Sequence, residues 1–131
     1  MSSSAVQRMH EVFERFQAKD GDGVVGLFAV DGVFVDPHYP PPIGPSMAGH
    51  EAISEGMSWA LGIVEQPQFS VRHEFASGDS DGVAALEVDT NHALVGGGAL
   101  VVTQVFIAEV DDAGLLRRLQ SYTPYPPPVP Q

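Results

Sequence analysis

The spacing of apolar residues changes its period at Pro67, and this switch limits the fold more than any single motif does. Ahead of it apolar positions recur at helical spacing; beyond it they alternate, as on a pleated strand. Val6, Met9, Phe13 and Phe16 are separated by Gln7, Arg8, Glu11, Glu14 and Arg15, which predicts an amphipathic helix over roughly 5–18. Ser4, with Gln7 three residues on, suits a capping box at its start. The stretch KDGDG (19–23) ends that helix, and Asp20 or Asp22 can cap a short second one carrying Val24, Val25, Leu27 and Phe28. DGVFVDP (31–37) reads as a turn, a short strand and a forced exit, because Pro37 pushes Asp36 into an extended conformation. HYPPPIGPS (38–46) is too proline-rich for anything but an irregular loop. A third helix over roughly 50–64 carries Ile53, Met57, Leu61 and Val64 on one face.

Beyond Pro67, Phe69, Val71, His73 and Phe75 alternate with Ser70, Arg72 and Glu74, the pattern of a half-buried strand. SGDSDG (77–82) is a turn. Val83–Leu94 and Ala99–Val110 are long Val-rich strands joined across Gly96, Gly97 and Gly98, so they form an antiparallel hairpin. DDAG (111–114) turns the chain into a last strand, Leu115–Thr123. The Pro-rich tail, 124–131, cannot pair in a sheet and is expected to be extended or disordered. Helices followed by a mainly antiparallel sheet make an α+β fold, expected as a single domain over 1–131 with no internal repeat or linker.

Composition narrows the function. The net charge of −11 argues against nucleic acid and against an anionic membrane surface, both of which call for clustered Lys and Arg. Yet 44% of the residues are hydrophobic, enough to rule out a disordered acidic tail. The absence of cysteine excludes disulfides, thiolate metal sites and a Cys nucleophile. Neither a signal-peptide core nor an apolar run long enough to span a membrane occurs, so a cytoplasmic location is expected. DGDG (20–23) lacks the downstream ligands of a calcium loop, and VGGGA (95–99) has neither the Lys nor the following helix of a phosphate loop. His10, His38, His50, His73 and His92 show no metal spacing, and no metal or cofactor is expected. A hydrophobic small molecule is the remaining class of ligand.

The run LFAVDGVFVDPHYPPPIGPSMAGHEAI (27–53) joins a helix end, a strand closing in Asp-Pro, a Pro-rich loop and a helix opening with GHEAI. With the hairpin VFIAEVDDAGLLRRLQSY (105–122), it resembles SnoaL-like and ketosteroid-isomerase-like members of the nuclear-transport-factor-2-like superfamily, over residues 5–123. The resemblance implies a cone-shaped α+β barrel: N-terminal helices packed into a highly curved sheet, with a hydrophobic pocket between. It also implies a homodimer paired through the outer sheet face.

In ketosteroid isomerases the Asp of this Asp-Pro moves a proton between two substrate carbons, which points to Asp36 as catalytic acid/base. Such work needs a carboxylate set among apolar walls, poorly solvated and ready to take a proton from a C–H bond or a water. The isomerase oxyanion donors do not carry over. The Tyr position falls at about Val12, beside Phe13 and Phe16, and the Asp position falls at Phe106, so neither supplies a hydrogen bond. Each lost donor typically costs about two to three orders of magnitude in rate, which argues against a steroid Δ-isomerase.

Strand alternation offers substitutes. If Phe106 faces the pocket, Val102, Gln104 and Ala108 share its face, and Leu86, Val88, Thr90 and His92 share one on the preceding strand. Gln104 can donate from its amide, and His92 is a candidate acid or base. His38, Tyr39, Trp59 and Tyr122 complete the candidate substrate contacts. Glu65, just beyond the third helix, matches a Glu of polyether epoxide hydrolases and cyclases, where paired carboxylates open an epoxide. Three readings stand: an isomerase or cyclase acting on a polyketide, terpenoid or steroid; an epoxide hydrolase or cyclase using Asp36 with Glu65; and a non-catalytic binding or dimerisation module.

Overall fold

Helix α1 (Ser4–Gln17) turns Met9, Phe13 and Phe16 inward as expected, with Ala5 and Val12 buried beside them and Val6 only partly covered. Ser4 lies inside this helix rather than ahead of it, so a cap would fall outside the residues described by this computed structural model, 4–77 and 82–123. Asp20 caps α2 (Gly21–Val25) by accepting from the Gly23 N–H. Strand β1 (Phe28–Val35) follows, then the Pro-rich loop, a short strand β2 (Ser46–Ala48) and helix α3 (Gly49–Ile63). A second short strand, β3 (Val64–Gln66), leads into β4 (Phe69–Ala76), β5 (Val83–Leu94), β6 (Ala99–Val110) and β7 (Leu116–Tyr122). Most of the turn expected at 77–82, and the whole Pro-rich tail, lie outside the described residues.

The seven strands make one curled, open sheet in the order β2-β1-β7-β6-β5-β3, with β4 also paired to β5. All neighbours are antiparallel except β1 and β7, which run parallel. The fold is the α+β cone expected: α1 packs against β4, β5 and β6, and α3 against β1. Gly32 lets β1 close on β7, because a Cβ there would stand 2.7 Å from the Leu116 carbonyl oxygen. No helix among the described residues is long and apolar enough to cross a membrane.

Strand β4 departs from simple alternation. Val71 pairs with Val88 but His73 pairs with Glu87, so Arg72 is an extra residue and the strand changes face there. Phe69 and Val71 pack inward, whereas His73 and Phe75 point outward, correcting the single face expected for all four. Glu74, returned to the inner side, reaches His10 on α1.

Candidate functional site

Between the helices and the concave face of the sheet lies a cavity of about 270 Å³. Its walls are largely apolar, with a cluster of aromatic rings among them. Phe13 stacks on Phe69 at 4.6 Å and meets Phe106 edge-on at 5.4 Å, while Tyr39 packs on Phe34 and Trp59. Such a lining repays burial of apolar surface and gives orientation only where a few polar groups interrupt it.

Those interruptions come from three places. Asp36, 6% exposed, leaves β1 just before Pro37. The loop after it is pinned at its ends, because the Asp36 N–H donates to the Pro45 carbonyl at 2.9 Å. Within it, Tyr39 N–H bonds the Asp36 carbonyl, and Ile43 and Gly44 N–H both bond the Pro40 carbonyl. Asp36 Oδ1 accepts two further bonds, from the His38 backbone N–H at 2.9 Å and from His38 Nδ1 at 2.8 Å. A carboxylate only accepts, so His38 carries its proton on Nδ1. Its Nε2 is buried without a hydrogen-bond partner in the protein. Burial, reinforced by the Asp36 charge, holds the Tyr39 hydroxyl well above its ordinary pKa, so it stays a neutral donor.

His92 supplies the second group. The Gln68 backbone N–H donates to His92 Nδ1 at 3.0 Å, which makes Nδ1 the acceptor and places the neutral ring's proton on Nε2. Burial is the main cause lowering its pKa to about 4; the nearby His38 adds to this and Asp36 opposes it. His92 is therefore neutral at physiological pH, held between Phe16 and Phe69 at 5.5 and 4.8 Å.

A buried chain forms the third. Thr90 Oγ1 donates to Gln104 Oε1 at 2.6 Å, and Gln104 Nε2 donates to Ser121 Oγ at 2.7 Å. Gln104 thus commits its carbonyl and one amide hydrogen within the sheet. Thr90, which also lines the cavity, carries no chemical signal in sequence beyond its place between Val88 and His92.

The cavity brings together Asp36, His38, Tyr39, His92 and Gln104, walled by Phe13, Phe16, Trp59 and Phe106. Four candidates fall outside its lining. Leu86 and Val88 are fully buried in the hydrophobic core. Tyr122 is 54% exposed, because it pairs with Val105 on the outer face while Ser121 takes the inner position opposite Phe106. Glu65 is exposed on β3, one residue past the cavity-lining Val64. Among the described residues, no group of three or more His, Cys, Asp or Glu is placed to hold a metal ion.

A family model described as a SnoaL-like domain matches residues 6–119. Among solved structures, RV0760c of Mycobacterium tuberculosis in complex with estradiol-17β-hemisuccinate is 24% identical, with 95% of this chain and 96% of that one covered and a TM-score of 0.83. The Δ5-3-ketosteroid isomerase of a Mycobacterium species is 25% identical over 92% of each chain, with a TM-score of 0.81. The epoxide hydrolase/cyclase-like enzyme SalBIII, associated with pyran-ring formation in the polyether salinomycin, is 14% identical, covering 92% and 91%, with a TM-score of 0.76. No curated protein matches the sequence significantly.

Proposed function

The chain belongs to the SnoaL-like domain family, and on that premise we propose that it is a cofactor-independent acid–base enzyme of isomerase or cyclase type. Its substrate would be a hydrophobic, oxygenated small molecule such as a polyketide, terpenoid or steroid. The observation that carries this reading is Asp36, buried at the edge of an aromatic cavity and bonded to His38, close enough to His92 for its charge to act on that ring. Val12 and Phe106 line the cavity without a donor. His92 Nε2–H and the Tyr39 hydroxyl are the neutral groups left to stabilise charge developing on a substrate oxygen. The steroid bound by RV0760c and the activity of the mycobacterial isomerase lend support, since both share this cone.

Epoxide opening by Asp36 with Glu65 gains no support from this geometry, because Glu65 is exposed away from the cavity lining. Turnover of panels of β,γ-unsaturated ketones and epoxides by wild type and Asp36→Asn tests the proposal. The expected result is ketone isomerisation lost by about 10²–10⁴-fold in the variant, the usual weight of a positioned acid or base. Equal rates in the two proteins would remove Asp36 from the chemistry, and binding without turnover would favour the ligand-binding role.

A further inference from the structure

We propose that the cavity is a receptor for small hydrophobic cations, amines whose protonated nitrogen sits against Asp36 and whose apolar body fills the space beside it. The observation that carries this is a buried charge without a counter-ion. Asp36 is 6% exposed and lines the cavity, yet neither a lysine nor an arginine lines it as well. The chain has six such side chains, and each is engaged elsewhere. Arg8 and Arg15 bond the Gly114 and Gly23 carbonyls, Lys19 the Val64 carbonyl and Arg118 the Gln120 amide oxygen. Arg72 and Arg117 pair with Asp89 and Glu109. A carboxylate held out of water is normally paired, because neutral donors alone replace only part of its lost hydration.

The donors that Asp36 does have are neutral. Both come from His38 and both fall on Oδ1, and no described residue donates to Oδ2. A second proton on the His38 ring would have to sit on Nε2, which is sealed from solvent without an acceptor. That ring therefore leaves the carboxylate charge uncancelled, and His92, the other imidazole of the lining, is neutral as well. The walls near Asp36 suit a cation. Tyr39 N–H bonds the Asp36 carbonyl, and the Tyr39 ring meets Phe34 at 72° and Trp59 at 53°, with centroids 5.4 and 5.3 Å apart. Rings inclined in this way form walls instead of a stack, and aromatic faces attract ammonium groups. The volume of about 270 Å³ lies just under the roughly 300–1,000 Å³ of pockets for drug-sized molecules, so the ligand is smaller than those. Such a cation supplies the absent partner: its N–H donates to Oδ2 in a charge-assisted bond while its hydrocarbon leaves water. An anion of the same size is repelled by Asp36.

This ligand class goes beyond the acid–base reading and needs no turnover to be tested. Trp59 is the one tryptophan of the chain and lines the cavity, so its fluorescence reads occupancy there, not attraction to the −11 surface. Three probes of one heavy-atom skeleton are titrated near neutral pH in about 0.15 M salt, which screens surface charge more than a buried pair. They are N,N-dimethylbenzylamine, protonated at that pH, its uncharged isostere isobutylbenzene, and phenylacetate. The amine is expected to bind about 10–100-fold more tightly than isobutylbenzene, the weight of a charge-assisted hydrogen bond, and phenylacetate more weakly than either. Asp36→Asn keeps an acceptor oxygen but removes the charge, and should bring the amine and isobutylbenzene within about threefold of each other. Equal affinity of wild type for these two probes would overturn the proposal whether or not the variant folds. A preference that survives in Asp36→Asn would overturn it too, as would Trp59 fluorescence that ignores the amine. Turnover plays no part in these titrations, so their failure would not be that of the acid–base reading.

Discussion

A single backbone N–H decides what His92 is. By donating to Nδ1, Gln68 gives the ring a fixed tautomer, and burial keeps it neutral. An imidazole whose folded-state pKa is depressed binds fewer protons in the folded than in the unfolded chain. Its contribution is therefore intact above the unfolded value of 6.5 and is lost progressively as pH falls from there towards about 4. His92→Asn retains an acceptor for Gln68 N–H but cannot titrate. Between about pH 7 and about pH 5, wild type should lose about 1–2 kcal/mol more stability than this variant, read from urea midpoints at each pH. Parallel pH curves would show that His92 does not titrate in this way. At this scale Asp36, His38, Tyr39, His92 and Gln104 are legible in the sequence because an Asp-Pro exit, its next residues and an alternating strand announce them. Their partners are not, since Gln68 acts through its backbone and Ser121 lies on another strand.

Elements carry their own signals unevenly. The hairpin of β5 and β6 coincides with its expected bounds because twelve-residue alternating strands and three consecutive glycines leave little freedom. The three-residue strands β2 and β3 are too short to show a period, and they form because β1 and β5 present free edges. The bulge at Arg72 shifts every later residue of β4 to the other face, and a shift of one residue leaves no mark on composition. Backbone approach is similarly silent until the strands are paired. At Gly32 an added Cβ meets carbonyl oxygens of Leu116 and Ala29, neither of which can swing away as a side chain can. Gly32→Ala should therefore destabilise the fold by about 1–3 kcal/mol, seen as a lower midpoint in chemical denaturation. An unchanged midpoint would mean that β1 and β7 separate at little cost.

The apolar interior of the cone is matched outside by scattered exposed apolar side chains set among the ion pairs Arg72–Asp89, His73–Glu87 and Arg117–Glu109. Val101 and Phe75 are 65% and 61% exposed, and Val105, Ile107 and Tyr122 continue the outer surface across β6 and β7. A homodimer closing on this face, proposed from the family resemblance, should sediment at twice the 13.9 kDa of the chain. Val101→Asp should shift the equilibrium to monomer, since an unpaired charge at a buried contact is strongly disfavoured; a wild-type mass near that of one chain would end the idea. The net charge, which at the level of composition speaks of partners, is spread over residues outside the cavity lining, among them Asp20 and Asp22 around α2 and Asp111 and Asp112 in the β6–β7 turn. The Pro-rich loop has the opposite economy. Asp36, His38 and Tyr39 occupy one short segment whose ends are tied together by the Asp36–Pro45 bond and whose inner turns satisfy their own backbone groups. Such a segment separates anchor from display: Tyr39 and Ile43 hold it in the core, while positions 38 and 40–42 between them can change without disturbing the register of the sheet and helices. Diversification of chemistry on this scaffold can then begin with a local edit to one loop, provided that its buried anchor is kept.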